Sequence, residues 1–394
     1  MSAIALASDA ASPAGATLAQ RRRAPGGELA LCALLAIALS AAMPLLAATP
    51  SALLLQTVQQ ARAIAALGLL LLAAVRLLWP SGRVMTYLLT LLALAAGLLW
   101  LSVPPALGEV QAGNGFWLGC VAFGLMGLLT VHRCAHLDGP RLEAQSAAVV
   151  LGLWVLLFWQ LGVTALGVPK VILPAPLWVL QSLGEHATTL THDAMQTLVR
   201  EALAGWLIGC GLGFVVALAI DRHAFLQRGL LPIASMTSAV PLVGVAPIAV
   251  MWFGFGWESK AAVVALMTFF PMLVSTLAGL RAAGRLEVEL MQTYAASHHQ
   301  TLWLLKLPAA VPQMITALKI NATLALIGAI VAEFFGSPTV GLGFRISTEA
   351  ARMNMGLVWA AITVASVTGS VAYAALAFLE RRVAFWHPSV RSVV

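Results

Sequence analysis

Between Glu287 and Ile315 the chain reads EVELMQTYAASHHQTLWLLKLPAAVPQMI, a polar stretch set between strongly apolar runs. Its carboxylates and imidazoles are the residue types of acid–base or metal chemistry, but their spacing argues against both. His298 and His299 are adjacent, so on a helix they point about 100° apart and do not converge on one metal ion. His132, Cys134 and His136 form another candidate cluster, which lacks a fourth ligand and has the spacing of a surface group. Ser146, Ser235 and Ser238 have no buried histidine partner within a span, as an intramembrane hydrolase would need. The chain also lacks the GxxxxGK[ST] phosphate loop, so it does not hydrolyse ATP by that route. What remains is a mechanical role for the polar stretch and an isolated carboxylate, Glu333, deep in an apolar run, where an ionisable group is a functional candidate.

The elements that must hold these residues are membrane helices. Of the 394 residues 61% are hydrophobic and 9% charged, and the mean hydropathy is +0.93. These values lie far outside the soluble range. The net charge of +7 is scattered at the ends of apolar runs and makes no stripe for nucleic acid. The four cysteines have no regular spacing, and neither a disulfide framework nor a metal site is expected. A bilayer core needs about 20 apolar helical residues. About ten such spans are expected, near 29–49, 61–79, 84–103, 115–132, 147–166, 201–220, 231–253, 261–280, 318–336 and 357–379.

An even span count puts both termini on one side. With the N terminus inside, most Lys and Arg residues become cytoplasmic, leaving Arg62, Lys170, Arg200, Lys260, Arg345 and Arg352 outside. This obeys the positive-inside rule and places Glu287 to Ile315 in the cytoplasm. Residues 1–28 read as a cytoplasmic tail ending in Arg21–Arg23. The apolar run after them exceeds a signal-peptide core, so a retained helix is expected. Residues 29–140 form a Leu/Ala-rich region of four spans, and 147–385 form a second region richer in junctional Pro, Gly and Trp.

Drawn as a helix, the polar stretch sets Leu286, Leu290 and Tyr294 at steps of four with Met291 beside them, while Glu287, Glu289 and Gln292 lie elsewhere. Ala295, Ala296 and Ser297 allow a turn, and Pro308 and Pro312 are expected to keep the next segment from running unbroken into the following span. Such an amphipathic elbow docks in a partner's groove, packs on its own chain or lies on lipid. Its acidic polar face argues against lipid.

The register Glu289-Leu290-Met291, Ala295, Leu305, Lys306, Leu307-Pro308 resembles the cytoplasmic coupling loop of bacterial ABC importer permeases. That loop reads Glu-Ala-Ala, three residues, Gly, nine residues, Ile, any residue, Leu-Pro. Gly stands where this chain has Ala295, a costly exchange if the position needs a positive φ. VILPAPLWVLQSL (171–183), AVPLVGVAPIAVMWFGFGWESKAAVV (239–264), TFFPMLVSTLAGLR (268–281), LPAAVPQMITALKI (307–320) and AEFFGSPTVGLGFRI (332–346) are similar to the nitrate, taurine and alkanesulfonate branch of that family.

The resemblance implies an all-α integral membrane protein whose last six helices form a type I ABC importer permease core, with its coupling loop at 282–317. The four earlier spans are outside the usual six-span permease. It further implies two cytoplasmic ATPase subunits that bind ATP-Mg, a second permease copy (identical or related), and an extracytoplasmic solute-binding protein in a bacterial inner membrane. No cofactor is expected on this chain. Glu289, Ala295, Ser297 and Pro308 would be coupling elements, with Leu290, Met291 and Tyr294 as apolar anchors and His298 and His299 as polar contacts. Glu333 reads either as a gate or as a structural carboxylate. Pro241 and Pro247 read as either an ordinary kink or a break exposing backbone to a cavity. The solute class implied is a small organic or inorganic anion, the alternative being a heteroaromatic vitamin precursor. No arginine lies deep in the last six spans, so an anion would be held by helix ends or by hydroxyls such as Ser235, Thr237, Ser238 and Thr268. A self-sufficient secondary carrier is the rival class, but the paired mid-depth charges and repeat symmetry it calls for are not evident.

Overall fold

The computed structural model describes residues 25–42, 53–77, 83–100, 114–135, 146–223, 242–336 and 339–386, and every regular element among them is helical. The chain divides into two compact units, Met1–Pro169 and Lys170–Val394.

The first unit contains α1 (Pro25–Ala42), α2 (Leu53–Leu77), α3 (Arg83–Trp100), α4 (Asn114–Ala135) and α5 (Ser146–Ala165). Small residues let its aromatic side chains interleave. Trp100 stacks on Phe116 with ring centroids 5.4 Å apart, and Gly119 leaves room for the Trp100 ring. Trp154 of α5 lies against Gly127 and donates its indole N–H to Thr130 Oγ1 at 3.0 Å. The helix at 147–166, grouped by sequence with the later spans, thus packs against α3 and α4.

The second unit contains α6 (Pro176–Glu185), α7 (Ala187–Met195), a π-helical segment (Gln196–Leu203) that leads into α8 (Ala204–Arg222), α9 (Leu242–Phe253) and α10 (Trp257–Leu280). The short α11 (Arg285–Thr293) and α12 (His298–Thr301) follow, then a second π segment (Leu302–Lys306), α13 (Leu307–Gly336), α14 (Leu342–Ala351) and α15 (Met355–Val383).

Among the described residues six helices are long and apolar enough to cross a membrane, corresponding to the spans expected at 115–132, 147–166, 201–220, 261–280, 318–336 and 357–379. The described parts of the other four expected spans are shorter, and residues 224–241, including 231–241 of the span expected at 231–253, lie outside the described residues.

Asp193, Thr197, Glu201, Gly205, Gly209 and Gly213 recur every four residues along α7, the π segment and α8. In a regular α-helix each such step over-rotates by about 40°, so the row would wind away from its neighbours. The under-wound π turn counters that drift, keeping polar groups and glycines on the side of α10 and α13. The glycines permit backbone-to-backbone contact: a Cβ on Gly205 or Gly213 would come within 2.6 Å of the Ala261 or Phe269 carbonyl oxygen. Close approach of this kind is what drives helix association in lipid.

Ion pairs show which helix ends meet. Asp221 at the end of α8 pairs with Lys306 at 2.9 Å, and Lys319 near the start of α13 pairs with Glu380 near the end of α15 at 2.6 Å. The elbow and α14 therefore lie at opposite ends of the bundle. One expectation is corrected here: His298–Gly336 forms one continuous helix, and neither Pro308 nor Pro312 breaks it. Leu307 N–H bonds to Leu302 O across the wider π turn, which holds the Pro308 ring clear of the preceding carbonyls.

Candidate functional site

The elbow is built from local backbone rules. α11 has Glu287 in its first turn, favourable to the helix dipole, and an exposed Arg285–Glu289 pair at 2.8 Å. The helix then stops in a Schellman turn: Ala295 N–H bonds to Gln292 O and Ala296 N–H to Met291 O, both at 2.9 Å. This turn needs a left-handed residue after the C-cap, and Ala295 has φ 54°. Two residues later Ser297 caps α12 through a reciprocal box with Gln300, at 3.2 and 2.8 Å. The sharp reversal therefore has a specified geometry at each step. Ala295→Gly is expected to relieve about 1 kcal/mol of left-handed strain. Hydrogen exchange at the Ala295 and Ala296 amides should slow by about fivefold if exchange there proceeds through local opening.

No residue of α11 is buried. Leu286, Leu290 and Tyr294 are 79%, 56% and 79% exposed, and Trp303 and Leu304 in the following π turn are exposed as well. Met291 is half-buried, Pro308 exposed, and His298 and His299 exposed, with the His299 ring 5.9 Å from Trp303. Among the described residues nothing covers the apolar ridge. Behind it, Lys306 binds both oxygens of Asp221, and Gly279 fits against Ala310 where α10 meets α13. These contacts join the elbow end to α8, α10 and α13.

At the opposite end the structure assembles a polar cluster that caps α14 from other helices. The first amides of a helix lack intrahelical partners. Gly341 N–H here bonds to Asp193 Oδ1 (3.1 Å), Leu342 N–H to Thr197 Oγ1 (2.8 Å), and Gly343 and Phe344 N–H to Glu333 Oε2 (2.5 and 3.3 Å). Thr197 Oγ1–H also donates to Glu333 Oε1 at 2.6 Å, and Arg345 pairs with Asp193 at 2.7 Å. Gly341, with φ 134°, leaves room for the Glu333 carboxylate that a Cβ would fill. The Lys260 ammonium joins two chain segments, donating to the Phe255, Gly256 and Gly336 carbonyls at 2.7, 2.9 and 2.5 Å. The end of α13 and the start of α14 are therefore both fastened.

Glu333 thus accepts from the backbone amides of Gly343 and Phe344. Thr268 is fully buried; its backbone carbonyl accepts from Asn321 Nδ2 at 2.9 Å, and its side chain lies against Gly209, so its surroundings are those of a three-helix contact. Pro247 lies inside α9, exposed. Pro241 and Ser238, with Ser235 and Thr237, lie outside the described residues. Sequence reasoning misses Lys260, Asp193 and Thr197 as members of this cluster. The four-residue recurrence from Asp193 to Gly213 is the signal that identifies the last two.

Residues 209–385 match the family described as "Binding-protein-dependent transport system inner membrane component". A probable ABC transporter permease protein of Haemophilus influenzae is 34% identical over 210 residues, covering 53% of this chain and 85% of the relative. The formylaminopyrimidine transport permease protein of Halalkalibacterium halodurans is 29% identical over 234 residues (59% and 93%). The taurine transport system permease protein of Escherichia coli is 30% identical over 260 residues (64% and 91%).

Proposed function

Because the chain belongs to the family of binding-protein-dependent, type I ABC importer permeases, we propose that it is a transmembrane subunit whose elbow docks in a separate cytoplasmic ATPase. ATP closure of two such ATPases pulls the elbow, and the movement passes through Lys306–Asp221 and the Gly279–Ala310 contact into the spans. A second permease copy completes the pathway, and an extracytoplasmic binding protein delivers solute on the α14 side. Both termini are cytoplasmic. The observation that carries this reading is the exposed ridge of Leu286, Leu290 and Tyr294 on a helix that buries nothing. Glu289, Ala295, Ser297 and Pro308 shape it, with Met291 at its base.

The solute we assign is a small organic or inorganic anion of the sulfonate, taurine or nitrate type. The alternative is a heteroaromatic vitamin precursor, a class to which the name of the formylaminopyrimidine relative is akin. Competition of uptake by taurine, nitrate or an aminopyrimidine separates them. Glu289→Lys reverses the charge beside the ridge and removes the Arg285 pair. It is expected to lower ATP-driven uptake at least tenfold while the amount of protein in the membrane is unchanged. Wild-type uptake in this variant would exclude Glu289 from the docking surface.

A further inference from the structure

α15 is an apolar span with a charged end. From Met355 to Leu379 it carries no charged side chain over 25 residues, about 37 Å at the helical rise, enough to cross a hydrocarbon core of about 30 Å. The hydroxyls of Thr363, Ser366, Thr368 and Ser370 each donate to the carbonyl four residues earlier, so they ask for no outside partner. Glu380, Arg381 and Arg382 then follow as one block at the boundary of the span.

These charges are not balanced among themselves. Glu380 is taken by Lys319 of α13 at 2.6 Å, and the Lys319 ammonium also lies 5.8 Å from the Tyr373 ring centroid. Arg381 and Arg382 are exposed, and among the described residues no carboxylate pairs with either. The end of α15 therefore presents two positive charges that lack an internal match. Apolar rings stand beside them. Phe378 is 60% exposed, and the Arg382 guanidinium carbon lies 5.1 Å from its ring centroid. Just past the helix Phe385 and Trp386, both exposed, meet edge to face with centroids 5.2 Å apart. Water does not favour such rings, whereas the zone between acyl chains and headgroups accommodates an aromatic ring and a cation together.

We propose that Arg381 and Arg382 form a docking site for the headgroup of an anionic phospholipid, binding its phosphodiester while Phe378, Phe385 and Trp386 enter the acyl boundary beside it. The planar guanidinium fork matches phosphate oxygens two at a time. A free phosphate would use the arginines and leave the rings in water; a lipid uses both. The site is independent of which solute the chain carries and of what docks on the elbow.

The test is native mass spectrometry of the full-length chain released from micelles that hold equal amounts of phosphatidylglycerol and phosphatidylcholine with identical acyl chains. The first lipid retained should be phosphatidylglycerol by about 30-fold, roughly fivefold from each arginine. Arg381→Gln combined with Arg382→Gln should bring that preference below about threefold. Thermal unfolding in lipid-free detergent should not change, because both side chains are exposed. Arg381→Lys with Arg382→Lys keeps the charge and should retain most of the preference. Arg222→Gln with Arg281→Gln removes equal charge from exposed positions toward the elbow and should leave the preference within about twofold of wild type.

No preference in wild type, its persistence in the double glutamine variant, or equal loss in the Arg222 and Arg281 pair overturns the proposal. Displacement of the retained phosphatidylglycerol by excess inorganic phosphate would make this a free-anion site. Loss of a co-purifying protein in place of lipid would make it a protein contact. Either result contradicts a lipid site.

Discussion

Aspartate at both Leu290 and Tyr294 is expected to lower retention of an ATPase subunit on the purified chain by about 100-fold or more. Apolar anchors at the centre of an interface cost about 2 kcal/mol or more each when truncated, and a charge placed in an apolar groove adds desolvation. Both side chains are exposed in the isolated chain, and α11 contributes nothing to the buried core. The double variant should therefore insert and unfold like wild type. Separating the two effects is what makes the outcome informative. Co-purification titrated with ATPase, together with a thermal unfolding scan in detergent, measures both. Loss of stability without loss of binding would place the ridge in intramolecular packing and exclude it as a docking surface.

The second large effect lies in the bundle. A Cβ on Gly209 would overlap the Thr268 hydroxyl and the backbone of Ala265, neither of which can swing aside as a flexible chain end would. Gly209→Ala is expected to cost about 2–3 kcal/mol, at the upper end of ordinary overpacking, and Gly209→Leu to abolish recovery of folded protein. Two residues along, Gly211 faces open space. Gly211→Ala should be neutral or stabilising by up to about 1 kcal/mol, as helix propensity alone dictates. Yield of monodisperse protein from membranes and midpoints of thermal unfolding distinguish the pair. Equal tolerance at both positions would contradict the α8–α10 contact.

Legibility in the sequence follows the range of the interactions. The six spans found among the described residues, the amphipathic elbow and its turn residues are local features, so hydropathy and steps of four suffice to disclose them. A positive φ at position 295 is likewise a local requirement, and φ 54° in a Schellman turn meets it. Pro308 misleads, since a proline's effect depends on the turn before it, and a π turn is not foreseeable from composition. The open alternatives at Glu333 need partners 136 and 10 residues away in sequence, Thr197 and Gly343, to be weighed. Lys260 has the sequence position of a loop cation at the outer surface and is instead buried beneath three carbonyl oxygens drawn from two chain segments. The same limit applies to α5, whose packing against α3 and α4 is set by Gly97, Gly127 and Trp154 and not by its own hydropathy.

A photo-crosslinking residue at position 294, activated in intact cells, reports most directly on whether another polypeptide drives this chain through its elbow. The expected product is a covalent adduct to a cytoplasmic subunit carrying a GxxxxGK[ST] loop, identified by mass spectrometry, with yield that changes when ATP is depleted. Adducts confined to lipid or to this same chain, or to a protein on the far side of the membrane, would contradict it.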